Sequence, residues 1–341
     1  MSRTQSIREY WSGNKPPAVL TVVPERTYAQ KPPEQMLPEA ESVIGDWYAS
    51  GANLPPAFFP DFGTISMAVS WGGEVVVGRQ GNPYIKPAAG TIDEALDLTP
   101  QDNPHAELAV EMYHELRRRT GIETLGFKTP DFQGVLNTAA MVCREEQLLI
   151  AMHEQPRKLH RFLETVCGHL IATIRKLRER VGRLDGNIWP YVWVPDDVGV
   201  CLTEDLMPLL SAEMFKEFGL PYLKRIAEAF GGVFIHCCGQ WGHHARNLAD
   251  SGINILGVEL HHPFTTYAEV AEYLPGVVVT PYLSDFAEHQ YEGYPEFLLD
   301  VIGAAASSNP VWIAVSDAMV SLPQLRDTLS GAGVETGGFT E

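Results

Sequence analysis

The 341-residue sequence predicts an α/β protein, a closed (β/α)8 barrel preceded by an N-terminal arm. In the second half of the chain, short apolar segments alternate regularly with helical ones. These segments are continuously apolar, as expected of parallel strands that are buried on both faces. The length also suits one barrel of roughly 250 to 400 residues. An open doubly wound sheet is the alternative, although no Gly-x-Gly-x-x-Gly sequence follows a strand and there is no P-loop.

The N-terminal region is rich in proline. Long helices are not expected in residues 12–60, which contain nine prolines, and only a short helix over Glu39–Ser50 is predicted. We therefore assign residues 1–60 to a proline-rich arm or cap and residues 61–330 to the barrel. The glycine-rich residues 331–341 are expected to form a flexible tail.

The elements of the first half follow from local signals. Asn103-Pro104 begins a helix that ends before Gly121, and Pro156 begins a longer one whose apolar residues recur every three or four positions. The predicted elements are a strand over Thr64–Trp71, a helix to about Arg119, a strand over Thr124–Phe127, helices over Arg144–His153 and from Pro156 to about Val181, and a strand over Asn187–Val194.

The second half has the clearer pattern, because strands and helices alternate in it. Ser211 caps a helix, and Gly252 ends another. Helices are predicted over Ser211–Phe218, Pro221–Phe230, Gly242–Ser251, Thr265–Tyr273 and Tyr294–Ala306, and strands over Val233–Cys238, Ile253–Glu259, Val277–Pro281 and Val311–Val315.

Composition excludes several classes of function. The chain has 25 Lys+Arg and 43 Asp+Glu, a net charge of −18, which disfavours binding to nucleic acid or to an anionic membrane surface. No apolar stretch of about 18 residues occurs, and the N-terminus does not resemble a signal peptide. Five cysteines, an odd and sparse set, indicate a reducing compartment. We expect a cytoplasmic protein that acts on a small molecule.

One pair of residues predicts a metal site. His236 and Cys238 are separated by one residue at the end of a predicted strand, so their side chains point to the same face while Cys237 points to the helices. Zinc takes imidazole nitrogen and thiolate sulfur as ligands. The alternative is a hydrogen-bonded core histidine beside a small buried cysteine.

Other polar residues also follow strands, at the end of the barrel where active sites lie. Glu259 ends a strand and is a candidate metal ligand, base or substrate contact, with a solvated rim carboxylate as the alternative. His261, in the next loop, is a candidate catalytic residue or a solvated one. Asp196 and Asp197 follow the strand over Asn187–Val194, and one of them is expected to face the mouth as an acid or base, or else to form a turn.

Two further observations concern the same strands. Asp317 follows the last strand and is a candidate for the same reason as the aspartate pair. Trp189, Tyr191 and Trp193 alternate on one face of a strand and are interpreted as core or pocket wall.

Several segments resemble the uroporphyrinogen decarboxylase superfamily. They are Ser211–Arg225, Phe234–Gly239, the helix that precedes Asp250–Asn254, and Glu145–Arg161 with its Met-His-Glu-Gln-Pro sequence. The similarity extends from about residue 60 to residue 320 and is most specific over residues 140–260. It implies a TIM barrel, in agreement with the pattern of elements.

The superfamily contains cofactor-free decarboxylases of tetrapyrroles and cobalamin-dependent methyltransferases. The methyltransferases hold zinc with a His-x-Cys pair and a later cysteine. His236 and Cys238 match the pair, but no cysteine follows Cys238. Asp317 stands near the position of the missing cysteine, so the resemblance implies Asp317 or Glu259 as the third metal ligand.

The decarboxylase branch fits the sequence less well. Its arginine-rich N-terminal signature is not found here, and its C-terminal histidine is absent because the last histidine is His289. A substrate with many carboxylates would also meet a chain of net charge −18 without an arginine clamp.

The resemblance therefore implies a Zn2+-dependent methyltransferase that moves a methyl group between a corrinoid and a thiol or similar acceptor. The corrinoid would be a co-substrate carried by a partner protein, and Asp196 or Asp197 would orient the substrate. Two alternatives are a cofactor-free decarboxylase of the porphyrin pathway and a non-catalytic barrel that binds a corrinoid or a partner.

Overall fold

The computed structural model describes residues 3–13, 15–78, 82–188, 192–305, 308–316, 318–334 and 336–337. The strands of this part of the chain are β1 (Ala18–Val23), β2 (Ala57–Phe58), β3 (Glu74–Val77), β4 (Pro83–Lys86), β5 (Gly126–Phe127), β6 (Gly186–Ile188), β7 (Val192–Val194), β8 (Val200–Thr203), β9 (Val233–His236), β10 (Ile255–His262), β11 (Val278–Leu283), β12 (Val311–Ser316) and β13 (Thr336–Gly337). The helices are α1 (Arg3–Ser12), α2 (Pro33–Gly45), α3 (Ile92–Asp97), α4 (Pro104–Thr120), α5 (Val135–Cys143), α6 (Glu145–Glu154), α7 (Pro156–Val181), α8 (Ala212–Phe218), α9 (Leu220–Phe230), α10 (Ala245–Asp250), α11 (Tyr267–Ala271), α12 (Tyr294–Ala305) and α13 (Leu322–Gly331).

A parallel sheet forms most of the wall around the core. Six strands pair in the order β8-β9-β10-β11-β12-β1, and β13 adds to the outside of β1. Parallel pairing of β2 with β5 and a parallel bridge between Gln133 and Thr203 continue the wall from β8. Asn53, just before β2, bonds the backbone of Leu20 and Val22 and so joins β2 to β1.

These contacts link eight strands in a ring, the arrangement of a (β/α)8 barrel, and the predicted α/β fold class is confirmed. Helices surround the ring because each parallel connection must cross back outside the sheet. The longest, α7, has a buried face at three- to four-residue spacing, as the sequence predicts. No helix among the described residues is both long and apolar enough to cross a bilayer.

The interior of the barrel is apolar at its lower end, where the strands begin. Phe234, Val278 and Trp312 point inward there and are fully buried. Trp11 of α1 covers this layer: its ring stacks on Trp312 with centroids 5.6 Å apart, and its Nε1 donates to the carbonyl of Trp193 at 2.7 Å. The lower end is therefore closed by packed aromatic side chains.

Two residues further along β9 and β11, the inward side chains become polar. Thr203 is paired in register with His236, and Glu259 with Thr280. All four are buried. Since successive inward residues of a barrel stack in layers, this polar layer lies directly below the mouth.

The structure differs from the sequence prediction in the first 60 residues. Ala18–Val23 and Ala57–Phe58 lie in the barrel wall, so the N-terminal region supplies two strands as well as the arm helices α1 and α2. The apolar run of β1 lies between Pro17 and Pro24, so these prolines bound the strand and do not interrupt it.

Two other predicted strands are wrong. Thr64–Trp71 forms two short 3-10 helices, bounded by Gly63 and Gly72 in positive-φ conformations, and Ser66 Oγ bonds the carbonyl of Gly63 at 2.8 Å. Local bonds of this kind compete with strand pairing. Within the predicted strand Asn187–Val194, β6 and β7 pair antiparallel, and Trp189 and Tyr191 lie outside the described residues.

Candidate metal centre at the barrel mouth

Three potential metal ligands meet where β8 and β9 end. Asp205 follows β8, His236 ends β9, and Cys238 comes two residues later. One ligand atom from each lies within 4.8 Å of the other two. His236 Nε2 is 3.0 Å from Cys238 Sγ, and the backbone N–H of Cys238 donates to Asp205 Oδ1 at 2.7 Å. This group could hold a metal ion.

The local sequence explains how His236 and Cys238 come together. Cys237 points to the other side of the strand, where it is fully buried among the apolar side chains between sheet and helices. Gly239 then allows the backbone to pass against Pro208, because a Cβ atom at this position would lie 2.4 Å from Pro208 Cγ. The turn therefore depends on a residue without a side chain.

Glu259 orients the histidine from below. Its Oε2 is hydrogen-bonded to His236 Nδ1, and its Oε1 is 3.1 Å from His261 Nδ1. Glu259 is fully buried on β10, so both imidazoles share one desolvated carboxylate. Since a carboxylate only accepts hydrogen bonds, Nδ1 of His236 carries the hydrogen, and Nε2 presents its lone pair toward Cys238.

The charges around the site disfavour a thiolate when no cation is present. Desolvation, followed by the negative charge of Asp205, raises the pKa of the Cys238 thiol to about 12. Burial lowers the pKa of His236, and burial followed by the neighbouring His236 lowers that of His261 to about 4. The histidines are therefore neutral near pH 7, the form that binds metal, and a bound cation would favour the thiolate.

A second acidic group lies near the candidate metal centre. Asp131, after β5, accepts hydrogen bonds on Oδ1 from Gln133 Nε2 at 3.0 Å and from Thr203 Oγ1 at 3.3 Å. Burial raises its pKa to about 7, with the charges of Asp61 and Asp205 acting in the same direction. Asp61 itself forms a buried ion pair with Arg26, with N and O atoms 3.7 Å apart.

Sequence reasoning missed Asp205. The short strand β8, Val-Cys-Leu-Thr, was not predicted, so the Glu-Asp pair that follows it was not recognised as the end of a barrel strand. The alternative third ligand, Glu259, lies on the Nδ1 side of His236 and is not in the group that faces Nε2. Asp317 lies outside the described residues.

The structure does not bring Asp196 and Asp197 to the mouth. The strand before them, β7, runs antiparallel to β6, so the pair lies just before β8 at the lower end of the barrel. There both side chains pair with Arg8 of α1, at 3.7 Å for Asp196 and 3.4 Å for Asp197. The expectation that one of them faces the mouth depended on a strand direction that the sequence does not reveal.

Comparison with known proteins agrees with this architecture. Residues 197–283 match the family model for uroporphyrinogen decarboxylase, a segment that contains β8 to β11 and every residue of the candidate metal centre. A methyltransferase from Methanosarcina mazei has the same fold, with a TM-score of 0.63 over 97% of both chains at 14% sequence identity. No curated protein gives a significant sequence match. Residues 197–283 are therefore similar to uroporphyrinogen decarboxylase, and the chain as a whole shares its fold with the Methanosarcina mazei methyltransferase.

Proposed function

We propose that this protein is a zinc-dependent methyltransferase that transfers a methyl group between a corrinoid and a thiol or similar acceptor. The observation that carries the proposal is the convergence of Asp205, His236 and Cys238 at the barrel mouth. Oxygen, nitrogen and sulfur donors together suit zinc, and catalytic zinc sites keep three protein ligands and one open position. The name of the Methanosarcina mazei protein supports the reaction class.

In this proposal each protein side chain has a defined task. Asp205, His236 and Cys238 would hold the zinc ion, and a thiol bound at the open position would have a lowered pKa. Glu259 fixes the tautomer and direction of His236. His261 is bonded to Glu259 and lies against Tyr282, with ring centroids 4.7 Å apart, and we assign it a substrate contact at the rim.

The proposed step is a nucleophilic displacement. The thiol sulfur forms a bond to the methyl carbon while the carbon–cobalt bond breaks and leaves its electron pair on cobalt. The proton of the thiol passes to solvent at the mouth, which Cys238 reaches as an exposed residue. The corrinoid is proposed to arrive on a partner protein.

A cofactor-free decarboxylase is the second candidate, since the matching family model describes uroporphyrinogen decarboxylase. The two functions differ in their response to metal removal. A decarboxylase would work unchanged after treatment with a chelator, whereas the proposed methyltransferase would lose its activity and recover it with added zinc.

The test combines metal analysis with an assay. Purified protein is expected to contain about one zinc per chain and to demethylate methylcobalamin when a thiol is supplied. His236→Ala should lose both properties, while Glu146→Gln, an exposed position on α6, should keep them. Zinc far below one per chain and equal in both variants would contradict the proposal.

A further inference from the structure

A cavity of about 300 Å³ adjoins the candidate metal centre. It shares Asp205 with the metal centre and extends along α5 to the first residue of α6. Its volume is that of a pocket for a small molecule. Among its lining residues are Gln133, Asn137, Met141, Glu145 and Leu206.

The floor of the cavity is rigid and polar. Gln133 and Asn137 are buried, and Asn137 Nδ2 donates to Gln133 Oε1 at 2.7 Å. Asn137 Oδ1 in turn accepts the backbone N–H of Leu206 at 2.9 Å, and Gln133 Nε2 donates to Asp131. The amides are therefore fixed by partners on both sides, and the cavity has a defined shape.

The charge of the cavity is entirely negative. Asp205 and Glu145 line it, and Asp131 adjoins it through Gln133. None of the described lining residues is a lysine, an arginine or a histidine. After burial and the charge of Asp61, the charge of Asp205 also contributes to the raised pKa of Asp131. A cation in this space would relieve that repulsion, and an anion would increase it.

We propose that this cavity binds the part of the substrate adjacent to its reacting group and that it selects an ammonium group over an anionic one. Resting on the proposed function, this makes the preferred acceptor an aminothiol, with its sulfur at the metal and its ammonium group beside Glu145. Acceptors that carry a carboxylate or another anion in the same position are rejected by the acidic lining.

The chain offers a matched pair of variants. Glu145 and Glu146 are consecutive exposed glutamates at the start of α6, but only Glu145 lines the cavity. Glu145→Gln should weaken the preference for an ammonium group, and Glu145→Lys should reverse it. Glu146→Gln removes the same charge one residue away and should leave the preference unchanged.

The test uses three thiols of similar size and different charge: 2-aminoethanethiol, 2-mercaptoethanol and 3-mercaptopropionate. Occupancy of the cavity is followed by NMR of methyl-labelled methionine, because Met141 lines the cavity and Met141→Leu identifies its signal among the nine methionines. Thiol binding at the metal is followed separately, by the charge-transfer absorption of the cobalt(II)-substituted protein.

We expect 2-aminoethanethiol to shift the Met141 signal with at least about tenfold higher affinity than 3-mercaptopropionate, and Glu145→Gln to reduce this ratio. Equal or tighter binding of 3-mercaptopropionate, or no shift of Met141 with any thiol, would overturn the inference. If Met141 reports the amine preference but no thiol gives a cobalt charge-transfer band, the cavity assignment stands and the proposed thiol chemistry fails.

Discussion

Glu259 and His236 form a buried carboxylate–imidazole pair directly beneath the barrel mouth, with Oε2 of one bonded to Nδ1 of the other. The pair comes from neighbouring strands, β10 and β9, so the sheet itself sets its geometry. The consequence is that Nε2 of His236 points to Cys238, 3.0 Å away. The ligand geometry of the candidate metal centre therefore depends on a residue that does not face the metal.

We first predict that Glu259→Gln weakens metal binding about 10- to 100-fold without abolishing it, because the amide can still accept a hydrogen bond but has lost the charge. Competition with a chromophoric chelator measures the affinity. Thr280→Val serves as the control. Thr280 is the register neighbour of Glu259 and is equally buried, and the Thr280 hydroxyl bonds no described residue. An equal loss in both variants would assign the effect to packing.

Asp205 and Asp317 are alternative candidates for the third metal ligand, and substitution of each one distinguishes them. If Asp205 completes the site, Asp205→Asn should reduce bound zinc to well below one per chain, whereas Asp317→Asn should leave it unchanged. Metal content by mass spectrometry of the two purified variants decides between them. Loss of zinc only in Asp317→Asn would show that Asp317, one of the ligands that the resemblance implied, completes the site.

Metal binding should release protons. In the metal-free protein the pKa of Cys238 is about 12, so the thiol is protonated at pH 7 and must lose its proton to bind zinc. His236 contributes no proton there because its pKa is lowered. We expect release of about one proton per zinc near pH 7 and an affinity that rises about tenfold per pH unit. Calorimetry in buffers of different ionisation enthalpy counts the protons, and release of none would show that Cys238 is not a ligand.

The aspartates at the lower end should not affect catalysis. Asp196→Asn and Asp197→Asn each remove the charge of a partner of Arg8, partly buried for Asp196 and exposed for Asp197, a contact of about 0–1 kcal/mol. We expect kcat/KM for methyl transfer to stay within about twofold of wild type. A tenfold drop in kcat/KM in either variant, with unchanged zinc content, would show that these residues act in the active site.

Trp11 should matter for stability and not for metal binding. Its ring is buried against Trp312 at the closed lower end, so Trp11→Ala is expected to lower the free energy of unfolding by about 3–5 kcal/mol. Phe286→Ala, at a side chain that is 76% exposed, should change it little. Chemical denaturation measures both, and a small effect in Trp11→Ala would mean that α1 does not close the barrel.

The sequence predicted those parts of the site that depend on local spacing. The one-residue gap between His236 and Cys238 places both on one face of any strand, and the apolar run before them marks that strand. Asp205 could not be found in this way because Val200–Thr203 was not recognised as a strand, so the residues after it were not seen to lie at a strand end. Asp196 and Asp197 were misplaced because spacing says nothing of strand direction, which tertiary pairing decides.

The difference between local signals and long-range pairing also explains which elements of the fold were predicted. Elements bounded by a cap were predicted closely, for example α4, whose first residue follows the Asn103 side chain that accepts the N–H of Ala106. The first barrel strand, Ala18–Val23, was assigned to an arm because prolines surround it. Its apolar run is compatible with a strand, but its place in the barrel depends on pairing with Val311–Ser316, almost 300 residues away, which no local pattern reveals.

Anomalous diffraction at the zinc absorption edge tests the central claim most directly. The account predicts one peak at the barrel mouth, about 2.3 Å from Cys238 Sγ and about 2.0–2.2 Å from His236 Nε2 and a carboxylate oxygen of Asp205. A crystal grown with zinc that has no peak there, or a peak bound to other residues, would contradict it.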